Sequence, residues 1–138
     1  MHIDKEHAEE GWISLILRLA MASLFGMAAL GKFKMGLPVA TAYVQSVFKD
    51  NWLLPDGLVT LYGMVLPFAE ATIAVWLLTG IRLRAAWIFT AFVLISLAFG
   101  MMVAKQYAFA ASNYVYVLMA CAGLYFSRYD CCGLCKKK

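Results

Sequence analysis

A single acidic residue, Glu70, lies inside a long and largely apolar run over residues 58–78. About 20 apolar residues, at about 1.5 Å of rise per residue, form a helix that spans the hydrocarbon core of a bilayer. An ionisable side chain inside such a helix is costly in free energy and by default marks a functional site. The run therefore predicts a transmembrane helix, and the role of its carboxyl group has to be explained.

The rest of the chain shows the same pattern. Of its 138 residues, 64% are hydrophobic and 14% are charged, which is typical of one integral membrane domain. Apolar runs of membrane-spanning length cover residues 12–30, 58–78, 85–103 and 108–126. The second, third and fourth runs are joined by short connections, which predict antiparallel hairpins. We therefore predict an all-α fold, an integral membrane four-helix bundle.

The connection between the first two runs, residues 31–57, is long enough to hold structure of its own. Residues 41–49 predict a short amphipathic helix at the membrane interface, between Pro38 and Pro55. This interfacial helix would act either as a functional lid or as a packed cover over one end of the bundle.

The two ends of the chain are polar. Residues 1–11 hold four acidic residues against one lysine, unlike the basic start of a secretory signal peptide, so we expect the first run to be retained as a helix. The chain is thus divided into a polar N-terminal tail (1–11), the membrane domain (12–126) and a basic C-terminal tail that contains cysteines (127–138).

Lysine and arginine residues favour one orientation in the membrane. Seven lie on the side of the termini and four on the opposite side, so the positive-inside rule predicts both termini in the cytoplasm. Trp12, Trp76 and Trp87 lie near the same side and predict an interfacial aromatic belt there. The net charge of +4 comes mostly from residues that flank the apolar runs, so lipid headgroups are the expected partners and nucleic acid is not.

Arg18 is a second charge inside an apolar run. Counted from the ends of their runs, Arg18 and Glu70 both lie about 9 to 12 Å from the same face of the membrane. We therefore predict an Arg18–Glu70 ion pair, since neither charge is stable alone in hydrocarbon. Ala22, Gly26 and Ala29 continue the face of Arg18 and let a second helix approach closely. The pair either fixes helix register, or binds a ligand such as a quinone head group, or relays a proton.

A further polar group is expected towards the opposite face. Asn113 lies near the start of the fourth run, close in depth to Lys32, Lys34 and Lys105. These residues form either a second polar mouth or, in the simpler interpretation, an interhelical hydrogen bond at Asn113 with lysines that anchor to headgroups.

Three of the four cysteines, Cys131, Cys132 and Cys135, lie in the C-terminal tail, and the last two form a C-x-x-C motif. The motif suits a dithiol redox couple or half of a metal site, but the chain has no second pair to complete a zinc site. Cysteines beside a membrane and a run of lysines also suit palmitoylation. Cys121, inside the fourth run, is expected to be a small packing residue.

Several chemistries have no motif in this chain. His2 and His7 lie outside the apolar runs, so no pair of histidines within the helices predicts a haem site. There is no P-loop, no dinucleotide-binding glycine motif and no nucleophile elbow, which excludes the functions that those motifs would support. No covalently bound cofactor is predicted, and a redox centre would have to come from a partner.

Short motifs resemble those of DoxX-type membrane proteins. They are Arg18-Leu-Ala and Gly31-Lys-Phe in the first helix, Leu66-Pro-Phe-Ala-Glu in the second, Leu77-Leu-Thr-Gly-Ile-Arg-Leu-Arg-Ala-Ala at the following turn, and Ser127-Arg-Tyr-Asp after the fourth. The resemblance implies a four-helix bundle in the inner membrane of a bacterial or archaeal cell, assembled with oxidoreductases. One branch of that family forms membrane subunits of thiosulfate:quinone oxidoreductase. The resemblance implies that Arg18, Lys32 and Glu70 occupy the positions of the family's polar residues. The cysteines of the C-terminal tail depart from the family's usual pattern.

We therefore predict an integral membrane subunit of a quinone-linked oxidoreductase system, which works with other protein subunits and has no redox centre of its own. The alternative is a non-catalytic scaffold or assembly subunit of a larger membrane complex. A small proton-coupled exporter also uses four helices and one membrane glutamate. In that class the glutamate typically lies in the first helix, whereas Glu70 lies in the second.

Overall fold

The computed structural model describes residues 3–129, which form five α-helices and a short 3₁₀ turn. The elements are α1 (Ile3–Met35), α2 (Leu37–Val47), α3 (Asp56–Thr79), α4 (Leu83–Val103), α5 (Tyr107–Phe126) and the turn (Ser127–Tyr129). Within these residues, α1, α3, α4 and α5 are long and apolar enough to cross a membrane. The predicted four-helix membrane bundle, with a short helix after its first helix, is confirmed. The chain is an integral membrane protein.

Glycine and proline determine where several helices end. Gly36 separates α1 from α2 with a φ of 90°, which residues with a side chain rarely adopt. Pro38 follows in the first turn of α2, where its missing N–H costs no hydrogen bond. α3 ends at Gly80, which has a φ of 70° and donates its N–H to the carbonyl of Trp76 at 3.1 Å. The chain thus reverses over a few residues, and α4 returns antiparallel to α3.

The four long helices pack in a ring. α1 contacts α3, α3 contacts α4, α4 contacts α5, and α5 returns to α1. The ring encloses an apolar core of Met21, Ala22, Phe25, Ile73, Ala74, Leu77, Leu83, Ala86, Trp87, Leu94 and Ala120. Large apolar side chains such as Met27, Phe92 and Leu118 are exposed on the outside, where acyl chains are their neighbours in a bilayer.

Small residues let α3 approach its neighbours closely. Ala22 and Ala29 of α1 are buried, and a Cβ added at Gly26 would lie 3.7 Å from the Cβ of Ala74. The predicted small-residue face of α1 is therefore confirmed. Gly63 of α3 faces α2 instead, because an added Cβ there would lie 3.4 Å from Thr41.

Helix α2 lies along the N-terminal half of α3. Thr41 faces Gly63, and the side-chain amide of Gln45 donates to the hydroxyl of Thr60 at 2.7 Å. Residue numbers thus increase along α2 in the direction in which they decrease along α3, so the two helices run antiparallel. After the break at Gly36, α2 therefore continues beside α3 in the general direction of α1. It begins earlier than residue 41 because the first turn of a helix accepts proline.

Two other expectations need correction or refinement. Helix α1 already includes Ile3, so the described part of the predicted N-terminal tail is helical. Trp87, predicted for the interfacial belt, is fully buried against Gly123 of α5, where the missing Cβ leaves room for the indole ring. The prediction for Trp87 was wrong because position in the sequence indicates depth in the membrane but not the direction of a side chain.

We expect Gly123→Ala to lower the melting temperature of the detergent-solubilised protein, because the added methyl group would overlap the Trp87 indole. Overpacking of a filled core costs about 1–3 kcal/mol. Gly31→Ala is the matched control, since a Cβ there meets no neighbouring side chain or helix within 4 Å. Equal melting temperatures for Gly123→Ala and the wild type would contradict the Trp87–Gly123 packing.

Candidate functional site

A buried ion pair joins α1 to α3. The Lys32 ammonium donates to Oε1 of Glu70, with an Nζ–Oε1 distance of 2.5 Å. The Glu70 side chain is 4% exposed and the Lys32 side chain is 24% exposed. Opposite charges attract strongly in a low-dielectric interior, and this attraction offsets part of the free energy lost when both leave water. Lys32 and Glu70 form the centre of the candidate site.

The antiparallel register of α1 and α3 brings the two residues together. Gly26 lies opposite Ala74, and the ring of Phe33 meets that of Phe68 edge-on with centroids 5.4 Å apart. Side chains on a helix lean towards its N-terminus, so on antiparallel helices Lys32 and Glu70 lean towards each other. Because Glu70 lies near the middle of α3, the pair lies well inside the membrane span.

One oxygen of the Glu70 carboxylate makes no hydrogen bond to any described residue. Oε2 is buried and has no partner among the described residues, whereas Oε1 accepts from Lys32. A buried acceptor without a donor costs about 1–3 kcal/mol. The adjacent Lys32 ammonium has three N–H donors, of which this contact needs one. The pair therefore offers a hydrogen-bond donor and an acceptor side by side.

Arg18 does not pair with Glu70, contrary to the sequence prediction. Its Nε donates to the carbonyl of Leu77 at 2.9 Å, and Nη2 donates to the carbonyl of Leu78 at 3.1 Å. These carbonyls belong to the last turn of α3, where helical partners are missing. A cation at the C-terminal end of a helix is also favoured by the helix dipole. Arg18 is buried and binds the end of α3.

The predicted pair was wrong because it depended on a depth count. The count placed Arg18 level with Glu70, but packing places Arg18 beside the last turn of α3. Arg18 and Lys32 lie about 21 Å apart along α1. Lys32, which the sequence placed at a polar mouth or as a headgroup anchor, is the residue whose side chain reaches Glu70.

The other predicted site residues are not brought to the ion pair. Asn113 is half-buried in the second turn of α5, a helix that contacts α1 and α4 but not α3, and its side chain makes no hydrogen bond to a described residue. Cys131, Cys132 and Cys135 lie outside the described residues, so their redox or lipidation role stays a prediction. Cys121, expected to be a packing residue, is exposed. No cluster of metal-ligating side chains occurs in the described part of the chain.

A hydrogen bond between α3 and α4 was not anticipated. The hydroxyls of Tyr62 and Ser96 lie 2.9 Å apart. An apolar cavity of about 40 Å³ between α2, α3 and α4 is lined by Tyr43, Val44, Val47, Phe48, Tyr62, Leu66, Leu97, Gly100 and Met101. Leu66 lies one turn before Glu70 on α3, but neither Lys32 nor Glu70 lines the cavity. The polar Ser96 within an apolar run was the sequence signal that could have indicated this contact.

We expect Lys32→Gln and Glu70→Gln each to lower the free energy of unfolding, because each leaves a charge without its counter-charge in the membrane. In the double variant no unpaired charge remains, so its loss should be smaller than the sum of the single losses by about 1–3 kcal/mol. Unfolding in mixed micelles, followed by circular dichroism, measures these losses. Lys34→Gln, at an exposed position in the same turn, is the control. Additive losses would show that the two side chains do not interact.

Comparison with known proteins identifies the family. A family model described as "Methylamine utilisation protein MauE" matches residues 10–115, which extend from α1 into α5 and include Arg18, Lys32, Glu70 and Asn113. No curated protein and no solved structure matches the chain. The matched family is not the DoxX type whose motifs the sequence resembles. Because the match spans most of a chain with four membrane-spanning helices, the chain belongs to the MauE family of membrane proteins.

Proposed function

We propose that this chain is a membrane subunit of an oxidoreductase system, and that its Lys32–Glu70 pair binds the polar head of a quinone or quinol. The observation that carries this proposal is the buried Oε2 of Glu70, which has no partner among residues 3–129, beside the Lys32 ammonium. Ionisable residues within membrane spans mark ligand and proton sites. In this proposal a partner protein holds the redox centre.

The hydrogen-bonding groups of the pair match those of the proposed ligand. A quinone carbonyl accepts a hydrogen bond from the Lys32 ammonium, and a quinol hydroxyl donates one to Oε2 of Glu70. Lys32 is partly exposed, so a molecule dissolved in the bilayer can reach its ammonium, whereas it reaches the buried Oε2 of Glu70 only if neighbouring side chains move. The neighbouring Phe33 and Phe68 rings offer an aromatic surface to the ligand's ring.

The family supports the oxidoreductase part of the proposal more directly than the quinone part. Its description names the utilisation of methylamine, and oxidation is one way in which an amine is used. The resemblance to DoxX-type proteins adds quinone as the ligand class, without extending to thiosulfate as a substrate. In this proposal the chain lies in a bacterial or archaeal inner membrane with both termini in the cytoplasm, which the distribution of basic residues favours.

A second candidate function is a non-catalytic scaffold or assembly subunit. The Lys32–Glu70 ion pair and the Arg18 hydrogen bonds join the same two helices at two separate levels. The buried Arg18 and the partly exposed Lys32 thus both hold α1 against α3, which is sufficient reason for a structural role. In this function the ion pair sets helix register and binds no ligand.

Purification in a mild detergent, with identification of co-purifying proteins and extraction of bound quinone, separates the two candidates. We expect the wild type to carry quinone and a redox partner, and Glu70→Gln to keep the partner but lose about 10-fold in bound quinone. Asp56→Asn removes an exposed carboxylate from the first turn of the same helix and should behave as wild type.

A charge-swapped variant, Lys32→Glu with Glu70→Lys, gives the second comparison. It keeps an ion pair between α1 and α3 but exchanges the positions of donor and acceptor. The charge-swapped variant should therefore bind the partner protein but, like Glu70→Gln, lack quinone. A wild-type complex without quinone, together with full assembly of the swapped variant, would overturn the quinone site and favour the scaffold.

A further inference from the structure

A groove between α4 and α5 is cationic at one end and apolar along its length. Its volume is about 440 Å³, and its lining residues are Arg84, Ile88, Cys121, Leu124, Tyr125 and Arg128. Arg84 lies in the first turn of α4 and Arg128 in the turn after α5, so both lie at the same end of the bundle. Ile88, Cys121 and Leu124 line the part that extends along the membrane-spanning helices.

The two arginines at the end of the groove carry positive charge that no acidic side chain among residues 3–129 pairs with. Arg128 lies over the ring of Tyr125, with its guanidinium carbon 4.9 Å from the ring centroid, which holds the charge at the groove. Neither Arg84 nor Arg128 makes an ion pair with a residue in the described range. Two cations above an apolar wall are complementary to a molecule with an anionic head and an apolar tail.

We propose that this groove binds an anionic phospholipid. Its phosphate would lie between Arg84 and Arg128, and an acyl chain would lie along Ile88, Cys121 and Leu124. Guanidinium groups bind phosphate oxygens through paired N–H donors. A lipid is the occupant that the surroundings supply, because Ile88 and Cys121 are exposed on the outer surface of membrane-spanning helices. The site is independent of the proposed quinone site, which lies between α1 and α3.

A second groove at the same end of the bundle lacks the cationic part. It lies on α3, has a volume of about 480 Å³ and is lined by Ala71, Thr72, Val75, Trp76 and Thr79. An acyl chain can lie in either groove, but the lining of the α3 groove contains no basic side chain. Selectivity for an anionic head therefore depends on Arg84 and Arg128.

Native mass spectrometry of the full-length protein in detergent, with phosphatidylglycerol and phosphatidylcholine added in turn, tests the proposal. We expect phosphatidylglycerol to bind more tightly, and Arg84→Gln and Arg128→Gln each to weaken its binding about fivefold, the effect of one basic residue on binding to anionic lipid. Arg82→Gln is the matched control, since Arg82 is exposed nearby but does not line the groove. An equal loss with Arg82→Gln would show attraction to general surface charge and overturn the proposal.

A second pair of variants tests the apolar part. Cys121→Trp would fill the groove at an exposed position and should weaken phosphatidylglycerol binding, whereas Val115→Trp, at an exposed position of α5 that does not line the groove, should bind as wild type. Glycerol 3-phosphate, which carries the head without the tail, should not displace the lipid. Unchanged lipid binding in a folded Cys121→Trp protein, or displacement by glycerol 3-phosphate, would overturn the assignment to a lipid.

Discussion

The ion pair between Lys32 and Glu70 is the constraint on which the arrangement of α1 and α3 depends. In hydrocarbon an unpaired ammonium or carboxylate is too costly to retain, so the two helices need a register in which the charges meet. In that register Gly26 faces Ala74, and Arg18 reaches the carbonyls of the last turn of α3. The break at Gly36 then lets α2 pack beside the other half of α3.

The buried charged side chains of Arg18 and Glu70 differ in whether their polar atoms have hydrogen-bond partners. Arg18 donates to backbone carbonyls that the end of α3 leaves without helical partners, so its bonds complete the helix. Glu70 keeps one buried oxygen without a partner among the described residues, although Lys32 lies beside it. A satisfied charge is explained by stability alone, whereas an unsatisfied acceptor is a reason to look for a ligand. This difference makes Glu70 the stronger candidate for function.

The sequence predicted the helices better than their contacts. The apolar runs at 58–78 and 85–103 agree closely with α3 (Asp56–Thr79) and α4 (Leu83–Val103), because a membrane span needs a continuous apolar stretch. Lys32 and Glu70 were both recognised as candidate site residues, but Glu70 was assigned to the wrong partner. Counting residues from the start of an apolar run gives a residue's depth in the membrane only if the run begins at the membrane surface. Helix α1 extends beyond both ends of its apolar run, so the depth counted for Arg18 was not reliable.

By itself, the sequence determined that the chain spans the membrane four times, with ionisable residues buried inside, since hydrophobicity and chain length are local properties. Tertiary structure alone decided which charges meet, since the register that pairs Lys32 with Glu70 also requires Gly26 and Ala74, far apart in the chain, to pack together. It also decided the rotation of α4, which buries Trp87 against Gly123 and not in an interfacial belt. Register and rotation come from contacts between separate helices, which no single apolar run encodes.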